Sequence, residues 1–207
     1  MPSYSPERFD ARYYRRFYQN PRTRAVSPED LRRSADLIAA FLREVRCPVR
    51  RILDLGCGLG LMRAPLRKHF PGASYTGVEV SEYLCERHGW TQASVHTYEA
   101  SKPFDLVICH DVLQYLSARD AAAAIRNFGR LCRGLLHFGV LTSEDWEHNC
   151  DRKATDSAAH LRSGDWYRLR LAVDFRNAGS GMFVWRGAPI HLWDIDVLET
   201  RRRRRQS

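Results

Sequence analysis

The chain has 207 residues, 44% hydrophobic and 28% charged, enough to bury the core of one domain and short for two. No run of about 18 apolar residues occurs, which excludes a helical membrane span, and residues 1–10 carry Glu7, Arg8 and Asp10 with no apolar stretch, which argues against a secretory leader. Formal net charge is +9, but Arg201 to Arg205 supply five of these charges, so a disordered basic tail over 201–207 accounts for most of the imbalance.

Cysteines at 47, 57, 85, 109, 132 and 150 never reach C-x-x-C spacing. Zinc ligation and a disulfide framework are therefore not expected; buried reduced thiols in the cytoplasm are. The arginine tail leaves one alternative partner open, since clustered guanidinium groups neutralise phosphates and could bind RNA.

In chain order, Phe9, Tyr13 and Phe17 follow i, i+4, i+8 spacing and predict one aromatic helical face in residues 4–20. That face either packs on the domain or, through Tyr14 and Tyr18, closes a pocket as a lid. Ser27-Pro28-Glu29-Asp30 reads as an N-cap, a first-turn proline and acidic first-turn residues, and Leu31, Ala35, Ile38, Leu42 and Val45 then form one apolar stripe. Cys47-Pro48 ends this second helix.

Arg51 to Leu55 is an apolar run interrupted by Asp54 and followed by Gly56, Gly58 and Gly60: a buried strand running into a tight turn where backbone can approach a ligand. The dinucleotide fingerprint G-x-G-x-x-G would place its third glycine at 61, where this chain has Leu61. An acidic residue two positions before Gly56 suits a ligand with an ammonium group better than a pyrophosphate. A helix is expected over 61–70, a second strand over 74–80 with Glu79 at its end, a helix over 81–88, and a third strand over 93–97. The carboxyl of Glu79, 19 residues after Gly60, is placed to accept from ribose hydroxyls. Trp90 either stacks on a base or packs in the core.

Phe104 to Cys109 predicts a fourth strand, Ser117 caps a helix running through Cys132 that Gly134 closes, and Leu135 to Leu141 predicts a fifth strand. Residues 142–163 are polar and loop-like. A helix over 164–175 and an antiparallel pair, 181–186 with 190–196, complete the reading.

Asp-x-Gly-x-Gly-x-Gly over 54–60, the strand-end Glu79 and F-D-L-V-x-x-x-D-V-L-x-Y-L over 104–116 together resemble class I S-adenosylmethionine-dependent methyltransferases. The resemblance implies an α/β, doubly wound (Rossmann-like), seven-stranded, mostly parallel sheet with a C-terminal antiparallel hairpin strand. The domain would occupy 47–200, behind an N-terminal helical lid over 1–46. It implies S-adenosyl-L-methionine as cofactor, held by Asp54, Gly56, Cys57, Gly58, Gly60, Glu79, Val80 and His110. Thr97, Tyr98 and Glu99 stand where an acidic or polar adenine partner is common, which leaves that contact unassigned.

The implied reaction transfers a methyl group to an O, N, S or C nucleophile, with His110, Asp111 and Gln114 nearest the chemistry and no metal required. His110 is either a general base or a backbone-orienting residue; His148 and His160 are further candidates for the base. Cys109-His110-Asp111-Val112 replaces the Asn/Asp-Pro-Pro-aromatic of base and glutamine amine methylases, and Cys109 lies inside a strand, so a small-molecule acceptor is expected over nucleic acid. It would sit under residues 4–46 and 142–165. The alternatives are an RNA-modifying protein and a non-catalytic cofactor-binding protein.

Overall fold

The computed structural model describes residues 6–24 and 26–198. Its core is one seven-stranded sheet in the order β3-β2-β1-β4-β5-β7-β6. The strands are β1 (Arg51–Leu55), β2 (Ser74–Glu79), β3 (Thr91–Gln92), β4 (Phe104–His110), β5 (Cys132–Gly139), β6 (Phe175–Asn177) and β7 (Met182–Trp185). β1 to β5 are parallel, and β7 runs antiparallel to both β5 and β6. The helices are α1 (Ala11–Tyr14), α2 (Pro28–Glu44), α3 (Arg63–His69), α4 (Glu82–His88), α5 (Ala118–Leu131), α6 (Ser143–His148) and α7 (Gly164–Leu171).

Period-two alternation distributes each strand between two cores. Leu53, Leu55, Val107, Cys109, Leu136 and Phe138 face α5 and α7. Ile52, Leu106, Ile108 and Leu135 face Ala35, Ile38 and Leu42 of α2 and Leu66 of α3. The Ser27 side chain accepts from Asp30 N, and the Asp30 carboxyl accepts from Ser27 N at 3.0 Å, so a complete capping box starts α2. These hydrogen bonds, with Arg33 beside it, pull Asp30 down to about 2.

Four boundaries differ from the sequence reading. The expected lid divides: residues 6–24 lie over the strand ends, whereas α2 is part of the body, because its apolar stripe is wide enough to fill a sheet face. The third strand is Thr91–Gln92, and residues 93–97, with backbone bonds from Thr97 and Tyr98 to Ser94, form a turn. The C-terminal hairpin is Phe175–Asn177 with Met182–Trp185. Its turn falls at Gly179-Ser180-Gly181, all three with positive φ, so the tight turn comes before the segment read as the first strand. Finally, Gly134 lies inside β5 rather than ending α5, which passes directly into the strand at Cys132.

The register between β4 and β5 shifts between Phe104 and Leu106, and there the backbone of Gly134 closes on Asp105. A Cβ on Gly134 would lie 2.3 Å from the Asp105 carbonyl oxygen. Gly134→Ala is expected to cost about 1–3 kcal/mol in urea unfolding, while Gly72→Ala, with nothing within 4 Å of the new methyl, should leave the midpoint close to the parent's. Equal midpoints for the two would show that the β4–β5 contact yields.

Candidate active site

The site lies at the C-terminal ends of the parallel strands, where open α/β sheets present their crevice. A cleft there is lined by Gly56 and Gly58 from the glycine turn, Glu79 and Val80 from the end of β2, and Ala93, Ser94 and Val95 beyond β3. His110, Asp111 and Val112 after β4 form the facing wall, with Tyr115 and Leu116. Phe9, Tyr13, Tyr14 and Tyr18 cover it.

Each glycine of the turn has positive φ: 73° at Gly56, 52° at Gly58 and 69° at Gly60. A Cβ would strike Val112 at 2.2 Å from Gly56 and Trp90 at 2.5 Å from Gly60. From Gly58 it would meet only Tyr14 Cε1, at 3.7 Å, so that position faces the cleft. The turn's own N–H groups are largely used: Gly56 and Cys57 donate to Val78 O, Gly60 to Cys57 O, and Gly58 to Glu79 Oε2 at 2.9 Å. The turn therefore offers close approach more than free donors. Trp90 supports it from behind, donating from Nε1 to Gly58 O at 3.0 Å, and does not line the cleft.

Glu79 is 5% exposed, and its Oε1 accepts from Val80 N (2.8 Å) and Ser81 N (3.0 Å). Asp54 is 4% exposed and accepts from the Tyr75 hydroxyl. Burial raises its pKa to about 7, against the lowering effect of the Tyr75 bond. Asp54, Cys57 and Gly60 do not line the cleft; they shape the turn from beneath.

His110 brings a partner that sequence reading missed. Its Nε2 lies 2.7 Å from Nδ1 of His137, in the middle of a strand otherwise read as apolar. His110 and His137 share parity with Ile108 and Leu135 in their strands, so the two rings meet on one sheet face. His137 is also bonded to the backbone of Ser180, in the hairpin turn. With Nδ1 committed to His110, this bond uses Nε2–H, making Nδ1 the acceptor and His110 Nε2–H the donor. His110 then keeps its lone pair on Nδ1. Burial lowers both histidines, His137 to about 3, with the neighbouring His110 adding to the effect. The pairing of a strand-end histidine with one mid-strand two strands' width of chain away carries no local sequence signal.

A second cavity adjoins the first and shares Tyr13, Tyr18, Asp111 and Tyr115 with it. Gln114, Leu141, Thr155 and Asp156 complete it with Phe17 and Val26. Its cover is tied down by polar bonds: Arg8 pairs with both oxygens of Asp156 (2.5 and 2.6 Å), and Arg162 donates to Leu113 O and Leu116 O. The Tyr13 and Tyr115 hydroxyls meet at 3.0 Å, and Ser81 Oγ donates to Phe9 O. Asp111 and Gln114 therefore come together where the cavities join, whereas His148 and His160 line neither. Among the described residues no helix is long and apolar enough to cross a membrane, and no group of acidic, histidine and cysteine side chains could hold a metal ion.

The strand order and the glycine turn facing a strand-end carboxyl define a Rossmann-like methyltransferase fold. A family profile described as "Methyltransferase domain" matches residues 53–134. Trans-aconitate 2-methyltransferase of Pseudomonas paraeruginosa is 31% identical over 142 residues, 63% of this chain and 43% of that protein. Malonyl-[acyl-carrier protein] O-methyltransferase of Magnetococcus marinus is 29% identical over 133 residues, 56% of this chain and 48% of that one. The chain thus spans about half the length of these curated relatives. Among solved structures, the N-methyltransferase NodS from Bradyrhizobium japonicum, in complex with S-adenosyl-L-homocysteine, superimposes with a TM-score of 0.55 at 19% identity, covering 77% of this chain and 88% of that one. DesVI of Streptomyces venezuelae gives 0.56 at 16% identity, covering 75% and 91%. Residues 53–134 are thus similar to a methyltransferase domain, and the fold is the Rossmann-like one of these methyltransferases.

Asp54 and His137 titrate in opposite senses. Asp54, raised in the fold, binds a proton that the unfolded chain releases, so it lowers stability as pH rises from about 4 to about 7. His137, depressed in the fold, lowers stability as pH falls from about 6.5 to about 3. Between pH 4 and 6.5 urea midpoints of Asp54→Asn should therefore rise with pH more steeply than the parent's, and those of His137→Gln should rise less or fall. Parallel curves for all three proteins would refute the assignment.

Proposed function

We propose that the chain is an S-adenosyl-L-methionine-dependent methyltransferase whose acceptor is a small molecule with an O, N, S or C nucleophile. The observation that carries this reading is Gly58: a left-handed residue whose Cα faces the cleft below Tyr14, bonded through its N–H to the buried carboxyl of Glu79. That pair fits a ribose laid across the turn, since Glu79 Oε2 accepts one bond and retains a lone pair. The cleft has acidic walls from Glu79 and Asp111 and, among the described residues, no lysine or arginine lining it, which suits a cationic ligand.

When bound, the cofactor supplies a methyl group on a sulfonium, already an electrophile. The protein's part is placement and exclusion of water. Gly56, Gly58, Glu79, Val80 and His110 would hold the cofactor, with Ala93 to Val95 beside its base. Asp54, Cys57 and Gly60 keep the turn in shape, and Asp54 adds negative potential beneath it. Asp111 and Gln114 would meet the acceptor, and His110 Nδ1 is the ring nitrogen able to take a proton. Phe9, Tyr13, Tyr14 and Tyr18 close the cleft, a cover that favours a small acceptor over a nucleic-acid strand. The arginine tail, on which an RNA partner would depend, lies outside the described residues. A reducing, cytoplasmic setting suits six free cysteines.

Calorimetric titration with S-adenosylhomocysteine tests the reading. The parent should bind; Glu79→Ala and Gly58→Ala should each weaken binding by about tenfold or more, as expected for losing hydrogen bonds worth about 1.5–3 kcal/mol or placing a methyl in the cleft. Absence of binding by the folded parent would overturn it. Binding without turnover across a broad acceptor panel would instead favour a non-catalytic cofactor-binding protein.

A further inference from the structure

The second cavity has chemistry of its own. It is walled by rings, Tyr13, Phe17, Tyr18 and Tyr115, with Val26 and Leu141, so it fits a compact body with apolar faces. Its polar lining combines two carboxylates, Asp111 and Asp156, with the Gln114 amide and hydroxyls that can donate or accept. Gln114 is 4% exposed, and its Oε1 has no hydrogen-bond partner although the atom is buried. The Gln114 amide nitrogen is turned toward Asp111 Oδ1 at 3.4 Å, which leaves the oxygen as the orphan. A buried acceptor without a donor costs about 1–3 kcal/mol, so a donor arriving beside it would be favoured.

Charge points the same way. Asp111 lines both cavities, and among the described residues its carboxyl has one side-chain hydrogen bond, the long Gln114 contact. Asp156 is already neutralised by Arg8. Among the described residues no lysine, arginine or histidine lines the second cavity. Arg8 approaches from outside, its guanidinium over the rings of Tyr13 and Tyr115 at 5.9 and 5.7 Å. Burial first, then Tyr13 and the carboxyls of Asp111, Glu79 and Asp156, raises the Tyr18 phenol well above its ordinary value. An anionic ligand would meet Asp111 with no opposing cation, whereas an ammonium or hydroxyl would satisfy both Asp111 and Gln114.

We propose that the second cavity is the acceptor site and that it selects a hydrogen-bond-donating amine or hydroxyl compound, cationic or neutral, against carboxylates, through Asp111 and Gln114 Oε1. This rests on the methyltransferase reading, because the first cleft must hold the cofactor for the second to hold the acceptor. It is notable against the relatives named for trans-aconitate and malonyl acceptors, which are carboxylates.

The experiment measures binding rather than turnover, by calorimetry and saturation-transfer NMR on the full chain saturated with S-adenosylhomocysteine. Two matched pairs serve as probes: tyramine with 3-(4-hydroxyphenyl)propanoate, and glucosamine with glucuronate, and trans-aconitate is added as a third anion. At least one amine should bind about tenfold or more tighter than its carboxylate partner, and trans-aconitate should not compete with it. Asp111→Asn should erase most of that preference, and Gln114→Leu should weaken the amine without strengthening the anion; unchanged S-adenosylhomocysteine affinity in Gln114→Leu shows that the variant is folded. If S-adenosylhomocysteine binds but a carboxylate binds equally or better, or no probe binds, this inference is overturned while the cofactor reading survives. If S-adenosylhomocysteine itself fails to bind, the underlying reading falls and takes this one with it.

Discussion

The carboxyl of Glu79 holds the site together. Its two oxygens accept three backbone N–H groups, from Gly58 in the glycine turn and from Val80 and Ser81 at the start of α4. A buried carboxyl needs such partners, because leaving it unbonded would cost several kcal/mol. The same three bonds fix the distance between two loops that are 21 residues apart in the chain, measured from Gly58 to Glu79. Ser81 extends the clamp: it caps α4 and its hydroxyl binds the carbonyl of Phe9, so the aromatic cover is fastened to the strand end that presents Glu79. The first cleft is thus a consequence of one acidic side chain being satisfied by backbone.

Strand parity supplies the second constraint. Asp54, His110 and His137 share parity with Ile52, Ile108 and Leu135, so all belong to the α2–α3 face of the sheet near its C-terminal edge. Each is a polar group that the hydrophobic face would reject without a partner. Asp54 takes the Tyr75 hydroxyl, and the histidines take each other and Ser180. The chain of bonds from Ser180 through His137 to His110 connects the hairpin turn to the cleft wall and selects the His110 tautomer. The glycine-rich hairpin turn matters here because a Cβ on Gly181 would press on both Phe138 O, at 2.8 Å, and His137 Nε2, at 3.4 Å.

What the sequence made legible was local. Alternating glycines, a strand-end acid at the expected separation and capped amphipathic helices are written in adjacent residues, and the sheet order follows from repeated βα units. The pairing of Tyr13 with Tyr115, Arg8 with Asp156 and His110 with His137 joins residues 102, 148 and 27 apart, and no period or motif marks such contacts. The hairpin was misread because Gly187-Ala188-Pro189 looks like a stronger turn than Gly179-Ser180-Gly181, although only the latter offers three consecutive left-handed residues. The third strand is two residues long because β3 is an edge with a single partner, too short for a periodic signal.

Asp111 gathers these threads. It has φ of 55°, one of three non-glycine residues described in the left-handed region. That conformation costs an L-residue about 1–2 kcal/mol, least for Asp and Asn, and persists only where surroundings enforce it. Here its N–H donates to Gly139 O at 3.0 Å, locking the peptide to the end of β5, while Val112 is pinned against the bare Cα of Gly56. An extended residue at 111 would continue the strand and carry its side chain back over the sheet. The left-handed turn instead brings Asp111 to the boundary of both cavities and lets Gln114 and Tyr115 follow in the next turn of chain. The backbone strain is therefore spent on placing one acidic group between a site suited to a cationic cofactor and a cavity beside the unsatisfied Gln114 oxygen, so the two ligands would share a single counter-charge at the point where they meet.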